Sequence, residues 1–250
     1  SSGITITKVE VWVTNKTGVL DDARNILAFS DMAEPTTIGN AHWQASGVPV
    51  PSNQTNTLYG ELISDFSAAR TFNQVNPTLE PLTAYGISIG NDYERLESAR
   101  RLGTNEYTLN KALGYISLKQ SLNSDEILAV AFEYTRNGQT YQAGEFSTDG
   151  IEPPKTLFVK LIKGTSQAPT MSTWDLMMKN VYTLPDAYNL TSEDFKLGIV
   201  YQNDSIGTAL TYLTEGAIKN NLLLKVMGLD RLNSKQQGYA DGLFDFVEGY

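Results

Sequence analysis

The sequence predicts a mixed α+β fold, mostly antiparallel β with a few short helices, arranged as β-sandwich-like modules. Three observations predict it. Ile4–Asn15, "ITITKVEVWVTN", alternates along a β-branched run, as a strand with two usable faces does. Asn137-Gly138 lies between two strand-like runs, the strongest short-range hairpin signal. Leu58, Tyr59, Leu62, Ile63 and Phe66 recur at helical spacing in "LYGELISDFSAA".

Taken in order, the first strand places Ile4, Ile6, Lys8, Glu10 and Trp12 on one face. Thr5, Thr7, Val9, Val11 and Val13 occupy the other. Arg24–Met32 predicts a second strand, with a short helix through "DDARNILAF" as the alternative. After the helix at Leu58–Ala69, Asp92–Gly103 ("DYERLESARRLG") predicts another. There Glu97 and Arg101 form an i,i+4 pair and Gly103 is the stop. "EYTLN" and "GYISL" precede the hairpin. A two-residue loop at Asn137-Gly138 sets Tyr134 opposite Tyr141 and Thr135 opposite Thr140.

Ser147–Lys155, "STDGIEPPK", is polar and holds Gly150 and Pro153-Pro154, which predicts a boundary. It divides the chain into a β-rich module with two helices over 4–149 and one with a single helix over 156–250. In the second module "LFVKLIKG" is a strand. "MSTWDLMMKNVYTLP" predicts a helix capped by Ser172, with Asp175 near the positive end of its dipole. Trp174, Met177, Met178 and Val181 form its apolar face, with Trp174 in the core. Asp194–Asn203, "DFKLGIVYQN", predicts a further strand, and its correspondence with "KVEVWVTN" hints at a degenerate internal repeat.

Composition excludes several function classes. With 250 residues, 41 % apolar and 19 % charged, the chain is globular. The net charge of −9 argues against nucleic acid, whose binding needs Lys and Arg, and against adsorption to anionic lipid. The absence of cysteine removes thiol nucleophiles, disulfides and cysteine metal sites. No apolar run approaches the roughly 20 residues of a spanning helix.

The motif search favours a protein without catalytic residues or a bound cofactor. The sole histidine, His42 in "NAHWQASG", cannot build a multi-histidine zinc site. It has no G-x-S-x-G elbow to serve, and neither phosphate-loop nor dinucleotide motif occurs. Asp125-Glu126 in "LNSDEILAV" reads as a polar turn before a strand rather than as a glycosidase pair. The densest oxygen-bearing stretch is 228–249, "GLDRLNSKQQGYADGLFDFVEG". Asp230, Asn233, Asp241 and Asp245 are its calcium candidates. The D-x-[DN]-x-[DN]-G…E spacing is absent, so a hydrogen-bonded Asx-rich turn is the preferred reading.

Several blocks in order carry a resemblance: "VEVWVTNKTG", "LAFSDMAE", "NEYTLNKALGYISL", "DEILAVAFEYTRNGQTYQAGEFS", "STWDLMMKNVYTL", "GLDRLN" and "DGLFDFVEG". From about Ile4 to Gly249 the chain resembles a segment of SprA/Sov. These are the very large outer-membrane translocons of type IX secretion and gliding motility in Bacteroidota. The resemblance implies a non-enzymatic soluble module associated with the outer membrane in the cell envelope, not itself inserted in the membrane. Its implied partners are other parts of the same translocon chain, secretion-machinery subunits and secreted cargo proteins. No catalytic residue carries over. The rival reading is a cell-surface glycan- or calcium-binding β module.

Overall fold

The computed structural model describes residues 3–111, 114–178, 196–202, 207–230 and 244. The chain divides into two compact units, Ser1–Met177 and Met178–Tyr250. The first runs β1 (Ile4–Val13), β2 (Arg24–Phe29), α1 (Leu58–Ser64), α2 (Val75–Leu79), β3 (Tyr93–Arg101), β4 (Tyr107–Asn110), β5 (Tyr115–Leu118), β6 (Leu128–Arg136), β7 (Gln139–Ala143) and β8 (Leu157–Lys163). Short 3-10 turns flank α2, and another spans Ser172–Leu176. The second unit contains β9 (Tyr201–Gln202), β10 (Ala209–Leu210) and α3 (Leu223–Val226).

The structure is mostly β with short helices, and its strand pairs are antiparallel except β2 with β8. The sandwich expectation is corrected. Strands β1, β3, β2, β8 and β6 pair in that order, and β6 pairs back onto β1, so five strands close into a barrel. Strand β7 pairs with Phe132–Arg136 of β6, beyond the stretch of β6 that pairs with β8. Closure leaves fewer free sheet edges than a sandwich would.

Side chains fill the barrel. Trp12 and Phe146 pack inside against Ala28, Ala129 and Ala131, large residues meeting small ones across a narrow interior. A second cluster lies on the outer face of β2 and β8. There Leu27, Phe29 and Phe158 are covered by Trp43, Leu58, Leu62 and Leu79 from the segment between β2 and β3. A third lies over β1 and β6, where Val11, Val13 and Val130 meet Tyr107, Leu109 and Ile116 of the β4–β5 hairpin. Burying each such aliphatic or aromatic side chain contributes about 1.5–3 kcal/mol before entropy is counted.

The hairpin forms as expected. Asn137 and Gly138 take φ of 51° and 79°, the two positive values of a type I′ turn. Tyr134 opposes Tyr141, with ring centroids 5.5 Å apart, and Thr135 opposes Thr140. In β1 the register shifts between Ile6 and Lys8, so Thr7 is an extra residue. Ile6 therefore shares a side with Val9, as their partners Tyr134 and Phe132 do, instead of with Trp12.

The helix expected at Asp92–Gly103 is strand β3, and Arg24–Phe29 is a strand rather than the alternative helix. Leu96 and Ala99 both face the barrel interior although they are three residues apart. A register shift against β2 and a positive φ at Ser98 insert the extra residue, which imitates helical spacing. Arg101 pairs with Glu10 and Asp22 instead of Glu97.

The stretch Ser147–Lys155 lies inside the first unit, because β8 after it completes the ring. The helix expected from Ser172 is a five-residue 3-10 turn with Met171, not Ser172, at its N-cap. Trp174 is only half-buried, and Met177 and Met178 are exposed; Val181 lies outside the described residues. Of Asp194–Asn203, only Tyr201–Gln202 is strand among the described residues. Among those residues no helix is long and apolar enough to cross a membrane.

Candidate functional site

The loop after β2 builds an aromatic patch on the surface of the first unit. Asp31 is buried, and its carboxylate accepts the N–H groups of Gly39 at 2.7 Å and Asn40 at 2.9 Å, which folds residues 31–40 back on themselves. Burial pushes the Asp31 carboxyl above its ordinary range, and those two N–H groups oppose the shift. Asn40 continues the chain of contacts. Its Oδ1 accepts the His42 N–H at 2.9 Å, and its Nδ2 donates to the Tyr85 carbonyl at 3.1 Å.

This positions His42 between two rings, 4.2 Å from Tyr85 and 4.6 Å from Trp43 by centroid. Its Nε2 lies 3.0 Å from Glu61 Oε2 on α1. Trp43 is buried against Phe29, whereas Tyr85 is 58 % exposed. The patch thus presents one open aromatic face beside an imidazole, a carboxylate and an amide. Such a surface can stack on a flat ligand and hydrogen-bond its rim. His42 was legible as a loop histidine beside a tryptophan. Tyr85 and Glu61 come from distant elements and had no signal in the sequence.

The remaining buried charges fasten covering segments to the barrel. Glu145 accepts Tyr59 Oη at 2.9 Å, Phe158 N–H at 2.7 Å and the Arg70 guanidinium, which also reaches the Thr156 carbonyl at 2.9 Å. Arg70 stacks 3.8 Å over the Phe158 ring. Burial, and then the charge of Glu145, raise the Tyr59 phenol, so it stays a donor. Glu10 accepts the Ser147 N–H at 2.9 Å and its hydroxyl at 2.8 Å. Arg24 donates to the carbonyls of Ser147, Ile151 and Lys155, holding the 147–155 loop against the barrel end. Glu94 accepts the Thr165 N–H at 2.8 Å and its hydroxyl at 2.6 Å.

The residues considered from sequence fall as follows. Asp125 and Glu126 lie 3.1 Å and 3.7 Å from Lys16, and Glu126 also accepts the Asn123 N–H. They belong to a turn stabilised by a lysine. Asp230 is buried just after α3 in the second unit, and Asn233, Asp241 and Asp245 lie outside the described residues. Among the described residues no three His, Asp or Glu side chains are grouped to hold a metal ion. Compared with known proteins, the chain matches no family model and no curated protein.

Proposed function

We propose that this chain is a non-enzymatic, soluble module of a very large outer-membrane translocon serving type IX secretion and gliding motility. It acts in the cell envelope by contacting other parts of that translocon, its partner subunits or its cargo. The ordered sequence blocks from Ile4 to Gly249 suggest that family. The structural observation that carries the module reading is the filled barrel. Trp12 and Phe146 occupy its interior, so five strands make a rigid core with no lumen for a substrate polypeptide to traverse. The buried carboxylates Glu10, Glu94 and Glu145 support it, since they bond the 147–155 loop, Thr165 just after β8 and the segment between β2 and β3 onto that core. In most glycosidases two carboxylates face each other across a cleft instead.

The test is direct. Antiserum raised against residues 3–177 should detect, in cells that encode the chain, an outer-membrane polypeptide many times larger than 27.5 kDa. A soluble product of 27.5 kDa as the sole reactive species would reject the translocon reading.

A second reading, a glycan-binding surface module, is favoured by the open face of Tyr85 beside His42, Asn40 and Glu61. A glycan array probed with wild type and Tyr85→Ala separates the two. Binding that disappears in the variant would install this reading in place of the first.

A further inference from the structure

Lysine is almost never buried without a partner, and Lys160 on β8 is 5 % exposed. Its Nζ donates to the Ser30 carbonyl at 2.6 Å and to Glu34 Oε1 at 2.5 Å. A contact of that kind leaves the amine about 3–3.5 Å from the carboxyl carbon, the separation of a near-attack pair. The turn that carries Glu34 is held firmly. Asn56 Nδ2 donates to the Asp31 carbonyl at 2.8 Å and the Glu34 carbonyl at 3.0 Å. Burial lowers the affinity of Lys160 for its proton.

We propose that Lys160 and Glu34 condense into an intramolecular amide that staples β8 to the turn after β2. The ammonium first passes a proton to the Glu34 carboxylate beside it. The Nζ lone pair then attacks Cδ, forming the N–C bond. The bond from Cδ to its hydroxyl breaks, and the hydroxyl leaves as water with a proton relinquished by the nitrogen. Nothing is oxidised or reduced, and no co-reactant is needed. Condensation would replace the buried charge of Lys160 and the half-buried charge of Glu34 by one neutral amide, which lowers the desolvation cost of the site. The chain has no cysteine, so no disulfide can supply such a cross-link. The amide would join residues 126 apart and constrain the unfolded chain as a disulfide does.

The inference stands independently of the translocon reading. Its test is the intact mass of the purified 250-residue chain. Wild type should be lighter than its sequence by one water, and Lys160→Arg should show the full sequence mass. Trypsin should release a branched peptide joining residues 25–70 to 156–163, because an acylated Lys160 resists cleavage. Wild type at full sequence mass would overturn the proposal. So would a water loss that persists in Lys160→Arg or maps to Asp149-Gly150.

Discussion

At the scale of single residues, two glycines with positive φ illustrate different constraints. Gly138 (φ 79°) sits in the hairpin turn, and nothing lies within 4 Å of where a Cβ would be. Gly144 (φ 73°) directly follows β7, and a Cβ there would meet Val159 Cα at 3.1 Å and the Val130 carbonyl at 3.3 Å. Gly138→Ala should therefore cost only the backbone term, about 1–2 kcal/mol. Gly144→Ala should cost clearly more, because β8 and β6 must also move apart. Urea unfolding of both variants decides it, and equal costs would contradict the close packing.

Glu106 gives a residue-scale pH dependence. Its carboxylate accepts the Gly103 N–H at 2.8 Å and the Arg100 guanidinium at 2.8 Å, which hold its pKa below the ordinary 4.5. A depressed carboxyl pKa means the folded state releases the proton more readily than the unfolded one. The stability it contributes is full above about pH 4.5 and is lost as pH falls through the lower folded value. Glu106→Gln should lower the melting temperature at pH 7, with the difference shrinking towards pH 3. A difference independent of pH would refute this origin.

At the scale of elements, legibility followed the range of the interactions. The β6–β7 hairpin was legible down to its opposing pairs, because Asn137-Gly138 sets the turn and the turn sets the register. Strand β3 was not. Its bulge at Ser98 gives helical spacing to residues whose conformation is decided by pairing with β1 and β2. The Trp174 segment failed for a related reason. Its spacing suited a helix, but the chain makes a single 3-10 turn whose apolar side is partly open. Trp174→Ala should consequently cost less than the about 3–5 kcal/mol of a fully buried aromatic. Thermal denaturation measures it, and a loss in the full range would show a core tryptophan after all.

At the scale of the molecule, the first unit closes its own barrel and covers both outer faces with its own segments. Residues 3–177 should therefore fold alone. A fragment of that span is expected to melt cooperatively and to give dispersed amide resonances. A broad, non-cooperative transition would show that the second unit is required. The division after Met177 could not be read from composition, since the polar, proline-bearing stretch at Ser147–Lys155 has every local mark of a linker. Arg24 and Glu10 bind it into the fold from strands more than a hundred residues away.

What the sequence determined by itself was local. β-Branched alternation specified β1, helical spacing specified α1 as far as Ser64 of the expected Leu58–Ala69, and an Asn-Gly pair specified one hairpin, because each depends on contacts only a few residues apart. Its composition also set the acidic, cysteine-free character of the chain. Tertiary structure alone decided that the sheet closes, that β3 is a strand, and that His42 meets Glu61 and Tyr85. It alone brought Lys160 to Glu34, 126 residues apart. These depend on the parallel pairing of β2 with β8 and the return of β6 to β1, long-range contacts whose partners no local pattern in the sequence specifies.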